Sequence, residues 1–205
     1  MDRRENKNHW YDGDFYKEFI APYQMNVFKT AAKFIPSGST VLDIACGTGA
    51  FGLEFHKYYG QITGIDLSRK NINTAKSEKI KKGIENIDFI HGDASALDVY
   101  IGKKYDFGII SYAIHEMPPH IRIKVLQSAR RHVDKLITAE YLTPQPKNHM
   151  GLFNFLVELM AGPDHFRNYR NFQNNGGIIP LIKKAGFAPV KNIIMKRSTI
   201  ITLAE

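Results

Sequence analysis

Val41-Leu42-Asp43-Ile44-Ala45-Cys46-Gly47-Thr48-Gly49-Ala50-Phe51-Gly52 is the stretch on which the fold turns. Its first five residues form a short, largely apolar run, of the kind a strand makes when both faces of its sheet are covered. The run ends in a glycine cluster that fits G-x-G-x-x-G, and a helical pattern from about Ala50 to Tyr59 follows, closed by Gly60. Strand, glycine turn and helix in that order are the opening unit of a parallel α/β sheet.

Downstream the same grammar repeats. Gln61–Ile65 reads as a second strand ending at Asp66, and Ser68 is placed to cap a helix that turns Ile72, Ala75 and Ile80 inward until Gly83. A third strand, Ile87–Ile90, runs into His91-Gly92-Asp93, and a fourth, Tyr105–Ser111, runs into Tyr112-Ala113-Ile114-His115. Pro118 and Pro119 suit the first turn of a helix whose Ile121, Val125 and Ala129 share a face. A fifth strand covers roughly Lys135–Glu140, after which Pro144, Pro146 and Gly151 mark a long connection with a helix of its own. Gly176-Gly177 opens a last helix that stops at Gly186. Val190–Met195 and Thr199–Leu203, joined tightly at Lys196-Arg197-Ser198, are predicted to pair antiparallel. The alternation predicts one mainly parallel sheet with helices on both faces.

Upstream, Asp14–Ile35 is helical in pattern, with Phe15, Phe19, Tyr23, Val27, Ala31 and Phe34 near one face and Pro22 expected to divide it in two. Residues 1–9 read as a frayed terminus and not as a targeting signal. The chain is thus expected to be a single domain, 1–205, with an N-terminal helical segment over 10–36 and a lid-like insertion over 142–176.

Composition narrows the function. The most apolar stretch, Gly151–Gly162, is too short to cross a bilayer and is interrupted by Asn154 and Glu158, so no membrane span is expected. Cys46 is the sole cysteine, which excludes an internal disulfide and paired-thiol chemistry and suits a cytoplasmic protein. No metal-ligand set is called for. The net charge of +8 raises the question of an anionic partner. The basic residues, among them Arg69, Lys70, Lys103, Lys104, Arg122, Arg130 and Arg131, are nonetheless scattered over predicted helices and turns, where they are expected to face water. That distribution speaks against a nucleic-acid surface.

Three carboxylates stand at successive strand tips. Asp66, after the second strand, is placed to accept bonds from both hydroxyls of a ribose, an arrangement that NAD and S-adenosylmethionine sites share. Asp43 separates the two, because a carboxylate just before the glycine turn would repel a pyrophosphate there but attract the ammonium and sulfonium of the methyl donor. Asp93 is placed to accept from an adenine amino group, with the Ala94 amide beside it. Any one of these acids alone reads equally well as a helix cap or turn carboxylate. The three together favour a cofactor site.

Val41–Gly49, Gly64-Ile65-Asp66-Leu67-Ser68, Gly92-Asp93-Ala94 and Tyr105-Asp106 through Ser111 to His115 resemble the successive motifs of class I S-adenosylmethionine-dependent methyltransferases, closest to the small-molecule enzymes of the quinone-biosynthesis type. The resemblance spans about residues 37–141. It implies a Rossmann-like three-layer sandwich whose seven-stranded sheet has the order 3-2-1-4-5-7-6, with strand seven antiparallel. It also implies a donor lying against Ala45, Gly47, Thr48, Gly49, Leu67, Ala94, Ser111 and Tyr112 beside the three acids. Ser111-Tyr112-Ala113-Ile114 departs from the Asn-Pro-Pro-aromatic motif of enzymes that methylate base amino groups, and one cysteine is too few for the arsenite methyltransferases.

Methyl transfer is an in-line displacement in which the protein contributes chiefly alignment and exclusion of water. His115 is the candidate general base, its alternative role being to shape the loop together with Glu116. Tyr11, Tyr16 and Tyr23 are candidates to close over the donor, Tyr16 foremost, and their alternative is ordinary aromatic packing. Phe153, Leu156, Val157 and Met160 recur at helical spacing, with Asn154 and Glu158 as the polar stripe. That helix reads as a lid over an apolar small-molecule acceptor, a homodimer contact or a lipid-facing surface. Asp164-His165-Phe166-Arg167-Asn168-Tyr169-Arg170 supplies basic and aromatic groups for an anionic or planar acceptor, and Glu140 and Tyr141 are weaker pocket candidates. The competing readings are an NAD-dependent reductase or epimerase, a non-catalytic S-adenosylmethionine-binding module and a nucleic-acid methyltransferase.

Overall fold

The computed structural model describes residues 21–195 and 198–205. Seven strands form one sheet in the order β3-β2-β1-β4-β5-β7-β6. They are β1 Thr40–Ile44, β2 Gln61–Asp66, β3 Ile87–His91, β4 Tyr105–Ser111, β5 Val133–Tyr141, β6 Pro189–Met195 and β7 Thr199–Ala204. β1 to β5 run parallel, whereas β7 is antiparallel to both β5 and β6. The strand order reverses between β1 and β4, and the crevice at such a reversal is where open α/β sheets bind ligands.

Seven α-helices accompany the strands among the described residues: α1 Ala21–Ala32, α2 Ala50–Phe55, α3 Arg69–Lys81, α4 Pro119–His132, α5 His149–Met160, α6 Pro163–Asn174 and α7 Ile178–Lys184. The central strands are apolar at consecutive positions because successive side chains enter two different cores. Val41, Ile109 and Ile137 pack with Val27 and Phe28 of α1, Phe51 and Phe55 of α2, and Ile72 of α3. Leu42, Ile110 and Leu136 point the other way, onto Ile121, Val125 and Leu126 of α4, Phe172 of α6 and Ile178 and Ile182 of α7. The expected three-layer sandwich and its strand order are therefore present.

Several local expectations are corrected. The division expected at Pro22 falls at the edge of the described residues, since 10–20 lie outside them. The helix after the glycine turn ends at Phe55, its last residues tightening into a 3-10 turn, His56–Tyr58. Ile80, expected inward, is 77% exposed. At 100° per residue it stands about 80° around the helix from Ile72, off the face that Ile72 and Ala75 bury. The connection after β5 holds two helices, α5 and α6, in place of one. Arg122, expected in water, is among the most deeply buried side chains.

Candidate functional site

The C-terminal tips of β1, β2 and β4 converge on the reversal point. At β1 the chain turns through Ala45 with φ 57° and Gly47 with φ 55°, and at β4 it turns through Tyr112 with φ 50°. Left-handed backbone at a non-glycine residue costs roughly 1–2 kcal/mol, and such outliers concentrate at functional sites. Here two of them flank the crevice. The turn after Ala45 is tied down by the Cys46 amide donating to the Ile65 carbonyl at 3.0 Å and by the Gly47 amide donating to Asp66 Oδ2 at 2.9 Å. Asp66 Oδ1 accepts from the Ser68 amide at 2.7 Å, so one carboxylate spans both turns. Thr48 is exposed at the apex, and Gly49 begins α2 with φ 76°. A Cβ on Gly49 would run into the Phe89 ring, whereas one on Gly47 would meet nothing within 4 Å.

Asp43 lies beneath this turn, paired in register with Gly64 on one side and Ile109 on the other. Its carboxyl is buried and Oδ2 has no hydrogen-bond partner among the described residues. Burial first, and the nearby Asp66 second, push its pKa up to about 8. Burial also raises Asp66, opposed by the amides of Ser68 and Gly47. A buried, unpartnered carboxyl beside a second one is costly unless a cation or donor completes it.

The remaining strand-tip candidates are arranged around the same edge. Asp93 Oδ1 accepts from the Ser95 amide at 2.8 Å, capping the 3-10 segment Ala94–Val99, so Asp93 does fill the cap role weighed for it. Leu67 is 41% exposed, and its carbonyl is 3.0 Å from His91 Nε2. Ser111 pairs with Ala139 on β5, the Tyr112 amide donates to the Ala139 carbonyl at 2.8 Å, and the Tyr112 hydroxyl meets Thr199 Oγ1 at 2.8 Å. Tyr11 and Tyr16 lie outside the described residues.

His115 lies in the loop between β4 and α4. Its ring is wholly buried, with Nδ1 2.6 Å from Glu140 Oε2 and Nε2 3.4 Å from Glu158 Oε1. Burial alone would discharge the imidazole, but Glu140 and Glu158 outweigh it and hold the pKa well above the usual histidine value. With Nδ1 donating to it, Glu140 also accepts from the amides of Ala113 at 3.1 Å and Ile114 at 2.7 Å. It thereby fixes the loop behind β4. The Tyr141 ring is tilted at 46° to the His115 ring, 4.6 Å between centres, and its hydroxyl donates to Glu158 at 3.0 Å, while His165 lies 3.5 Å from both Glu116 and Glu158. Arg122 threads beneath, donating to the carbonyls of Ile114, Met117, His115 and Asn168 and to Asn171 Oδ1. The roles of Arg122, Glu158 and Glu140 in this network escape sequence reasoning. The available signal is Asn154 and Glu158, two polar residues one turn apart in an otherwise apolar helix.

Residues 41–135 match a family described as a methyltransferase domain. Demethylmenaquinone methyltransferase of Staphylococcus saprophyticus is 25% identical over 174 residues, covering 77% of this chain and 73% of that protein. The Oceanobacillus iheyensis protein of the same name is 26% identical over 92 residues, 43% of this chain, and the matched stretch spans 38% of that protein's length. Magnesium protoporphyrin IX methyltransferase of Synechocystis PCC 6803, solved with bound SAH, shares the fold. Its TM-score is 0.64 at 19% identity, with 95% of this chain and 90% of that one covered.

Proposed function

We propose that this chain, a member of the class I S-adenosylmethionine-dependent methyltransferases, methylates a small apolar or aromatic acceptor. The observation that carries the reading is the unpartnered, buried Asp43 carboxyl beside Asp66, directly behind an open glycine turn. A pyrophosphate laid on that turn would crowd two carboxyls and could only hold Asp43 in its neutral form, whereas a cationic nucleoside would draw the Asp43 proton off and complete the resulting carboxylate. The NAD reading is disfavoured on the same ground.

When bound, S-adenosylmethionine supplies a methyl carbon already activated by its sulfonium. Asp43 would answer the cationic end of the donor, and the open face of Gly47 admits backbone-close approach. Asp66 accepts from the Gly47 and Ser68 amides and from the Asn71 side chain, and its remaining acceptor capacity would meet the ribose. Asp93 and the Ala94 amide would meet the adenine edge, with exposed Leu67 offering an apolar surface to its face. Ala45, Thr48, Gly49, Ser111 and Tyr112 complete the wall.

His115 acts in this proposal as a positioning residue. A buried imidazolium between two carboxylates cannot take up a proton, so it orders residues 112–117 at the tip of β4 while alignment and exclusion of water carry the transfer. Demethylmenaquinone, named in the curated relatives, is the first acceptor to try.

Calorimetry with S-adenosylmethionine and with NAD tests the cofactor, and labelled donor incubated with cell extract tests the acceptor. The expected result is heat with the sulfonium compound and label in small organic-extractable molecules. Heat with NAD alone, or label confined to protein or RNA, would overturn the proposal.

A further inference from the structure

Helix α5 is folded inside out. The residues it buries are Gly151, Asn154 and Glu158, while Leu152, Phe153, Leu156, Leu159 and Met160 are 61%, 42%, 45%, 48% and 55% exposed. The reason lies underneath: Glu158 is drawn in by His115 and by the Tyr141 hydroxyl, and Asn154 Nδ2 donates to Gln145 Oε1 at 3.0 Å. With its polar stripe committed to the core, the helix must present its apolar stripe outward. These five side chains recur at helical spacing and form one continuous band along α5.

The band has a definite size and a definite electrostatic setting. Its five side chains leave on the order of 450 Å² of surface, about half of the roughly 800 Å² per partner that a stable protein–protein interface needs. A shallow apolar cavity of about 560 Å³ opens beside it, lined by Pro146, Leu152 and Phe155 and carrying the exposed Lys147 at its edge. On the same side Phe155 meets Phe166 edge-on at 5.1 Å, and the exposed Arg170 lies over the Phe166 ring at 5.8 Å. Neither Lys147 nor Arg170 has an acidic partner within ion-pair distance among the described residues, and the whole chain carries +8. A narrow apolar stripe with cations along one border is the pattern of a helix that lies in a membrane interface.

We propose that the outward face of α5 docks on an anionic lipid bilayer. Phe153, Leu156 and Met160 enter the headgroup–acyl boundary while Lys147 and Arg170 meet lipid phosphates. The surface is distinct from the strand-tip crevice, and the proposal holds whichever acceptor is methylated.

Vesicle flotation of the full chain tests it, using phosphatidylcholine alone and phosphatidylcholine mixed with phosphatidylglycerol. The chain is expected to float with the mixed vesicles and to lose affinity at raised salt. Phe153→Glu with Leu156→Glu is expected to weaken flotation by about a hundredfold. Ile80→Glu, an exposed apolar position on α3, is expected to leave it unchanged. Thermal melting and light scattering of each variant accompany the assay, because exposed substitutions should keep the fold. Two results would overturn the proposal: flotation indifferent to the α5 pair or to lipid charge, and absence of flotation together with a dimer that the α5 pair dissolves, which would make a second copy the occupant.

Discussion

Glu158 Oε1 lies 3.4 Å from His115 Nε2, both side chains buried, and this pair joins α5 to the loop behind β4. Burial by itself would raise Glu158, but His115 and then His165 outweigh it and bring its pKa down to about 2. A carboxylate lowered in the folded state stabilises above its unfolded value of 4.5, and that contribution fades as the pH falls toward 2. His115, raised in the folded state, contributes fully below 6.5 and loses its contribution only at a pH well above that. Glu158→Gln is therefore expected to cost about 3 kcal/mol in urea denaturation at neutral pH, as removal of one partner of a buried pair does. It should also flatten the decline in stability between about pH 4.5 and pH 2. An unchanged acid profile would mean that the pair contributes nothing to holding α5.

Asp43, raised to about 8, is largely protonated at neutral pH before any cation arrives. A ligand that requires the carboxylate must expel that proton. Binding of S-adenosylmethionine at pH 7 is expected to release close to one proton, and affinity should rise nearly tenfold per pH unit from about 6 to 8 before levelling. Calorimetry in buffers of different ionisation enthalpy counts the proton. Asp43→Asn should bind more than tenfold more weakly and remove this part of the pH dependence, which separates the protein's share from that of the ligand's own amino group. Because the unfolded carboxyl ionises at 3.8 and the folded one only near 8, the parent should lose stability relative to this variant throughout that range, the difference levelling above pH 8.

Gly47 and Gly49 look alike in the motif and differ in space. Both have positive φ, so alanine at either costs about 1 kcal/mol of backbone strain. At Gly49 the added methyl group also collides with Phe89, so Gly49→Ala should lose several kcal/mol and lower the melting temperature sharply. At Gly47 the methyl group stands in open space. Gly47→Ala should fold nearly as well as the parent yet lose at least tenfold in donor affinity, because the group occupies the approach to the turn. Equal binding by this variant would move the donor off the first glycine.

These contrasts mark what the sequence can carry. Glycines, strand-tip acids and apolar runs report local geometry, so Val41–Gly49 and Asp66 are legible and with them the sheet and the crevice. Burial of a charged side chain is decided by partners far along the chain. Arg122 and Arg130 occupy the same predicted helix, and nothing near them tells that Asn168 and Asn171 on α6 will enclose the first. Glu158 reads as a solvated stripe for the same reason. Its pairing with His115 inverts the helix, and the inversion leaves the apolar band outside.

Arg122 holds the two halves of the site together. Its Nε and Nη2 reach three carbonyls of the loop behind β4, at 2.9–3.1 Å, while Nη1 and Nη2 reach Asn171 Oδ1 and the Asn168 carbonyl of α6 at 2.9 and 2.6 Å. Burial lowers its pKa to about 10, which still leaves it charged at neutral pH. Arg122→Met keeps the volume but strands five acceptors, and should cost about 3–5 kcal/mol. Arg122→Lys is expected to recover less than half of that, since one ammonium cannot imitate a fork reaching in opposite directions. Hydrogen exchange locates the damage: faster exchange is expected in both 112–118 and 166–172. If only one segment loosens, the guanidinium anchors that segment alone and the coupling between α6 and the strand-tip loop runs through His115 and His165.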